Sequence, residues 1–191
     1  YVRYPESRLR LKAGFRRADL FLETGQHEAA IELFQALLRE KPPDDLSAAS
    51  VYFLGLAYDR AGKTNDAVKC YQKVKDEFPK SVYRHYALLK LGGVYSADGQ
   101  TGASARAGGG KDAGQSVKRA EELYRNAAEN PPSARVGAEA LFQLGDLLYR
   151  QGRFEESAGV YRLLLERYPG DERSAEAGLQ AEIAASPEIG D

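Results

Sequence analysis

The sequence is short of the residues that most protein chemistry depends on. Its 191 residues include no Met, no Trp, two His and one Cys. A lone Cys70 excludes an internal disulfide and a cysteine-based zinc site. His27 and His85 lie far apart, and neither has a second His or Cys at ligand spacing, so both read as surface histidines. Charge of one sign is also missing. Lys plus Arg number 27 against 28 Asp plus Glu, a net charge of −1. A nucleic-acid binder normally carries a strong basic excess, and this chain does not. No run approaches the roughly 20 apolar residues of a membrane-spanning helix. Sustained alternation of apolar and polar residues is absent too, which argues against β-structure. With no Met even at the start, the chain reads as a window cut from a longer one, and the absence of a leader segment says nothing about its origin.

What is present is a repeat. Pro5, Pro42 and Pro79 are 37 residues apart, Pro132 follows after 53 and Pro169 after another 37. Gly25, Gly62, Gly99 and Gly152 keep the same intervals, so one unit carries an insertion of 16 residues between its glycine and its proline. Ala30, Ala67, Ala120 and Ser157 form a row of small residues, followed four positions later by Phe34, Tyr71, Tyr124 and Tyr161. Ahead of each glycine, sets such as Val51, Leu54, Gly55 and Tyr58 recur at i, i+3, i+4 and i+7, one face of a helix. Unit three repeats this as Leu88, Leu91, Gly92 and Tyr95, and unit four as Leu141, Leu144, Gly145 and Leu148. Each unit is therefore a helix, a glycine turn and a second helix stopped by proline.

The predicted helices are 7–24 and 27–40, 45–61 and 64–77, 81–98 and 116–129, 134–151 and 154–167, then a ninth over 171–185. Ser7, Asp44, Ser81 and Asp171 are expected to cap first helices, with Ser133 in unit four. Small residues at Ala18, Gly55, Gly92 and Gly145 let paired helices approach, and the aromatic row fills the space between hairpins. One hairpin cannot bury its own apolar face, so the units must stack. Glu182 stands where the ninth helix should carry its small residue, which predicts a polar outer side and a capping role.

These residues resemble the tetratricopeptide repeat family. Its pattern of Leu-Gly-x-x-Tyr followed by glycine, alanine, aromatic and proline appears as Leu54-Gly55, Tyr58, Gly62, Ala67, Tyr71 and Pro79, and again in unit three. The resemblance implies an all-α, right-handed α-α superhelix of four helix-turn-helix repeats with a C-terminal capping helix. As one array over 1–191, the repeats are 6–42, 43–79, 80–132 and 133–169, with the capping helix at 171–185. The period departs from the family's 34 residues, and its bulky first-helix aromatic is replaced by Gly14, Val51, Leu88 and Leu141. The junctions Tyr4-Pro5-Glu6-Ser7, Phe78-Pro79-Lys80-Ser81 and Tyr168-Pro169-Gly170-Asp171 look like those of a bacterial envelope subgroup. That subgroup includes the periplasmic coordinator of the Tol-Pal system and the helical lipoprotein of outer-membrane barrel assembly.

The resemblance further implies a non-catalytic scaffold that holds a partner peptide or helix in a concave groove, with no cofactor and no metal. The implied groove residues are Phe15, Asp19, Tyr52, Leu56, Arg60, Leu89, Phe142, Asp146, Tyr149 and Arg150. Phe15, Tyr52, Leu89 and Phe142 make an apolar ladder that suits either a docked amphipathic segment or packing between neighbouring first helices. The family's chaperone-tail clamp places Asn where this chain has Asp19, Leu56, Gly93 and Asp146, and acidic groups there would repel a carboxylate. The insertion at 100–115 is glycine-rich without an apolar anchor and reads as a flexible loop. It fails as a phosphate loop, since Ala105 holds the first glycine position and Asp112 follows Lys111. Glu121-Glu122 and Glu155-Glu156 are expected at second-helix starts, where carboxylates suit the helix dipole. Finally, residues 1–17 carry a local charge of +5 and residues 166–191 one of −5, a polarity that fits head-to-tail self-association as a second possibility, a docking or regulatory array of a larger multidomain protein being the third.

Overall fold

A computed structural model describes residues 8–101 and 113–186, and these fold into nine α-helices. They are α1 (Arg8–Glu23), α2 (His27–Arg39), α3 (Asp44–Arg60), α4 (Thr64–Glu77), α5 (Tyr83–Thr101), α6 (Ala113–Ala128), α7 (Ala134–Arg150), α8 (Phe154–Arg167) and α9 (Ser174–Ala185). Helices adjacent in sequence pack on one another, α1 through α4 in turn and α6 through α9 in turn. The described residues fall into two compact units that meet between Ala87 and Leu88, inside α5.

The small and aromatic rows lock together as the repeat demands. A Cβ placed on Gly55 would lie 2.6 Å from the Tyr71 ring, one on Gly92 2.5 Å from Tyr124, and one on Gly145 2.6 Å from Tyr161. In the first repeat Ala18 and Phe34 hold these positions, and both are fully buried. In the later three repeats the missing Cβ lets the tyrosine ring lie directly on the facing helix. The core of the first unit gathers Ala18, Leu22, Ala30, Ile31, Phe34, Leu54 and Ala57. That of the second includes Leu88, Ala127, Leu141, Tyr161 and Leu164, with Tyr124, Leu144 and Leu148 in a neighbouring cluster. Each large side chain removed from water here contributes about 1.5–3 kcal/mol. The Ser157 hydroxyl adds a buried tie across the pair, donating to the Gly145 carbonyl at 2.8 Å.

Turns between paired helices use glycine where the backbone turns left-handed: φ is +78° at Gly25 and +73° at Gly62 and Gly152. Gly99 departs from this rule. Expected to break the helix, it lies within α5, which runs on to Thr101, and its backbone packs beside Val117. The insertion thus adds helix on both flanks, since α6 also starts at Ala113, ahead of the predicted 116. The remainder of the insertion, including Ala105, Lys111 and Asp112, lies outside the described residues, as do Ser7 and the Tyr4-Pro5 junction.

Junctions between repeats come in two kinds. At Phe78-Pro79-Lys80-Ser81 the Ser81 amide donates to the Phe78 carbonyl at 3.0 Å and the Tyr83 amide to the Ser81 hydroxyl at 3.2 Å. At Tyr168-Pro169-Gly170-Asp171 the matching bonds are 3.0 Å to the Tyr168 carbonyl and 3.1 Å from the Arg173 amide to the Asp171 carboxylate. Ser81 and Asp171 therefore close a turn, and α5 and α9 start two and three residues later than predicted. The other two junctions are Pro-Pro, entered by Lys41 and Asn130 with φ of 51° and 50°. There Ser133 caps α7 by accepting from the Val136 amide, as expected. Asp44 does not cap. It is the first residue of α3, Pro43 takes the cap position, and the Ser47 hydroxyl donates to the Pro42 carbonyl.

One further correction concerns α9. Its buried side is Ser174, Ala177, Ala181 and Ala184, but Leu179 and Ile183 stand exposed beside Glu176 and Glu182, so its outer side is not uniformly polar.

Candidate functional site

In the first unit, α1 supplies Phe15 and Asp19, and α3 supplies Tyr52, Leu56 and Arg60. Phe15 is half-buried, edge-on to Phe34 at 5.6 Å and to Phe53 at 5.2 Å between ring centres. Tyr52 is only 8% exposed, because Tyr71, Tyr83 and Tyr86 lie around it at 5.8, 5.4 and 5.9 Å. Tyr86, at 37%, is the aromatic residue this face presents to solvent. Leu56 packs half-buried against the core. The exposed Arg60 is held in place by donating from Nη1 to the Leu22 carbonyl at 3.1 Å.

Asp19 is the buried acid of this face. Arg16 reaches it at 2.7 Å, yet burial and the nearby Glu23 hold its carboxyl above the ordinary value, against the pull of Arg16 and Arg60. The partner in the aromatic row is Phe34, which has no hydroxyl to donate.

The second unit solves the same position differently. Asp146 on α7 accepts a hydrogen bond from the Tyr161 hydroxyl at 2.6 Å and pairs with Arg150 at 3.6 Å. Phe142 lies edge-on to Tyr161 at 5.8 Å, and Tyr149 edge-on to Phe154 at 5.1 Å. Leu89 on α5 packs half-buried against both clusters of this unit. Close by, Arg173 bridges Glu139 at 2.6 Å and Asp171 at 2.7 Å. Burial and the Glu139 carboxylate push the Tyr124 hydroxyl up to about 12, so Glu139, Asp146 and Arg150 all share its surroundings.

The expected residues thus gather as Phe15, Asp19, Tyr52, Leu56 and Arg60 in one unit and Leu89, Phe142, Asp146, Tyr149 and Arg150 in the other. Sequence reasoning overlooked the contribution of the aromatic row to this face. The Tyr161 hydroxyl reaches Asp146, a relation one repeat back would place between Tyr124 and Gly93, and two back between Tyr71 and Leu56. The Tyr71 hydroxyl is indeed buried with no hydrogen-bond partner, since Leu56 offers none. Glu121 was also misplaced. Because α6 begins at Ala113, Glu121 is mid-helix, where it binds Arg125 at 2.8 Å and Arg153 at 2.5 Å. Glu155 and Glu156 do occupy the first turn of α8.

Such faces offer hydrogen bonds, fixed charges and apolar edges. Burial pushes the Cys70 thiol up to about 11, so at neutral pH it is a protonated, weakly nucleophilic group. Among the described residues no three His, Cys, Asp or Glu side chains converge to hold a metal ion, and no helix is long and apolar enough to cross a membrane. A separate cavity of about 460 Å³ lies at the α4–α5 junction, lined in part by Asp44, Glu77, Phe78, Pro79, Val82 and Tyr83.

Comparison with known proteins agrees with this architecture. The tetratricopeptide repeat pattern matches residues 15–82 and 112–172, more than half of the chain. No curated protein matches the sequence. Among solved structures the chain is similar to MamA of AMB-1, with a TM-score of 0.55 and 19% identity over 97% of this chain and 95% of that one. At that identity the likeness speaks for the fold alone.

Proposed function

This chain belongs to the tetratricopeptide repeat family, and on that premise we propose that it is a non-catalytic scaffold that binds a partner peptide or helix along its first-helix faces. Members of the family generally serve as protein-interaction scaffolds. The observation that carries the reading is Asp146, fixed by Tyr161 and Arg150 beside the half-buried rings of Phe142 and Tyr149. An acid whose position is already set, next to apolar edges, loses little freedom when a partner docks. Arg60, tied to the Leu22 carbonyl, and the exposed Tyr86 support the same role in the first unit. A fitting partner segment carries apolar side chains one turn apart and no carboxylate aimed at Asp19 or Asp146.

The reading treats residues 1–191 as one array of four repeats and a last helix. Its finer part, a place in a bacterial envelope complex, rests on the resemblance of the aromatic-Pro junctions to that subgroup.

Photo-crosslinking residues at Arg60, Tyr86, Tyr149 and Arg150 test it against the same chemistry at Lys69 and Arg162, which are exposed on second helices. Partner adducts confined to the first four positions are expected. Adducts equal at all six, or only at Lys69 and Arg162, move the site off these faces.

A further inference from the structure

We propose that the cavity at the α4–α5 junction binds the side chain of an arginine carried by a partner peptide. Its volume of about 460 Å³ lies within the range of about 300–1,000 Å³ usual for ligand pockets. Phe78, Pro79, Val82 and Tyr83 give it an apolar wall, and the exposed Asp44 and Glu77 add carboxylates. Val82 stands 53% exposed on that wall. The wall is firm, since the half-buried Tyr83 ring lies 5.4 Å from Tyr52 and 6.1 Å from Phe53. An occupant therefore meets a surface already in place.

The fourth repeat shows what this junction lacks. There Arg135 and Arg167 stand at the register of Asp45 and Glu77, and Glu172 and Arg173 at that of Val82 and Tyr83. Arg135 reaches Glu172 at 3.9 Å, and Arg173 reaches Glu139 and Asp171. The fourth junction thus supplies its own cations. At the second, acids hold two of those positions and the apolar Val82 replaces Glu172. Asp45 turns to Arg8, Glu77 makes a loose pair with Lys73 at 3.8 Å, and Asp44 has no ion-pair partner among the described residues.

Charge chooses the occupant. The lining carries three carboxylates, at Asp44, Asp45 and Glu77, against the single exposed ammonium of Lys80, a balance that selects a cation. Helix α4 also ends here, and the C-terminal end of a helix favours positive charge. Helix α3 starts here, but Asp44 and Asp45 in its first turn exceed the roughly half charge of a helix N-terminus. Among cations a guanidinium fits best. Its plane stacks on an aromatic ring, its fork pairs with a carboxylate, and its methylene stem covers apolar surface. Lysine offers a point charge without the flat face. The exposed Pro79 and Val82 can also take an apolar neighbour of that arginine, which a peptide supplies and a free amino acid does not.

Fluorescence anisotropy on the full chain tests this with a capped, labelled peptide holding one arginine between two leucines. Saturable binding is expected, weakened about tenfold or more when citrulline, the neutral isostere, replaces the arginine. Val82→Arg sets a cation of the chain's own in the cavity, and Asp44→Asn with Glu77→Gln removes the two carboxylates. Each variant should weaken binding about tenfold while circular dichroism shows the helix content unchanged. No saturable binding of the arginine peptide overturns the proposal. Equal binding of the citrulline peptide, or full binding by Val82→Arg, overturns it as well. Free arginine amide binding as tightly as the peptide assigns the cavity to a small guanidinium ligand and overturns the peptide as its occupant. The crosslinking positions Arg60, Tyr86, Tyr149 and Arg150 do not line this cavity, so it and the scaffold reading fail separately.

Discussion

Repeats two and four carry the same glycine and the same tyrosine, yet their tyrosine hydroxyls meet opposite fates. In repeat four the Tyr161 hydroxyl donates to Asp146, and in repeat two the Tyr71 hydroxyl is buried beside Leu56 with nothing to bond. Repeat one inverts the problem: Asp19 is a buried acid, and the aromatic row there holds Phe34, which has no hydroxyl. A single two-residue device is complete once and half-present in the other three repeats, the third pairing Tyr124 with Gly93. Close helix packing thus depends on the ring and the glycine, while the polar pair is an addition that each repeat carries or omits. What distinguishes the candidate faces is this addition.

The largest effect should come from breaking what the two repeats share. Gly145→Val pushes Tyr161 off α7 and severs its bond to Asp146 together, and the expected loss is about 3 kcal/mol in urea denaturation. A loss below about 1 kcal/mol would show that the ring has room to move. Next in size is the contrast itself. Tyr161→Phe should cost about 1.5–2 kcal/mol, since it removes a hydrogen bond to a carboxylate, whereas Tyr71→Phe removes an unpartnered group and should be neutral or stabilising. Equal costs in the two variants would refute the distinction.

Acid titration sharpens the comparison further. Glu121 is held below its ordinary value first by the Arg153 hydrogen bond and then by Arg125. Its contribution is present above the usual carboxylate value of 4.5 and fades as pH falls through the lower folded value. Glu121→Gln should therefore cost about 1 kcal/mol at neutral pH and nothing in strong acid. Asp19 has the opposite sign. Its raised folded value means that it favours the fold most below 3.8 and loses that advantage as pH rises. Asp19→Asn should stabilise slightly at neutral pH, by less than about 1 kcal/mol, with the gain shrinking toward acid. Melting curves of both variants across pH must diverge in opposite directions for this to hold.

Much of the fold was legible in the sequence because glycine, proline and the aromatic row each answer to a local demand. Gly62 sits where φ is positive, Gly55 where a ring lands, and Pro79 where a helix has ended. Helix starts were less legible where one polar residue has two uses: Ser81 and Asp171 close turns, and the helices begin after them. Gly99 was misread because the insertion is helical at its flanks, which spacing alone does not reveal. At the candidate faces the residues on α1, α3 and α7 were identifiable from the ladder. The burial of Tyr52 was not, since it depends on Tyr83 and Tyr86 from the following repeat. Nor was the link from Tyr161 to Asp146, because a tyrosine counted as core filler still has a hydroxyl to place.

The two kinds of junction bear on how such a chain is inherited. Left-handed Lys41 and Asn130 close the first and third repeats, and the aromatic-Pro turns close the second and fourth. A non-glycine residue in that conformation costs about 1–2 kcal/mol, so a Pro-Pro joint does not interchange freely with an aromatic-Pro one. Copying a single repeat would set two joints of one kind in succession. Copying a pair, twice the 37-residue period, preserves the alternation.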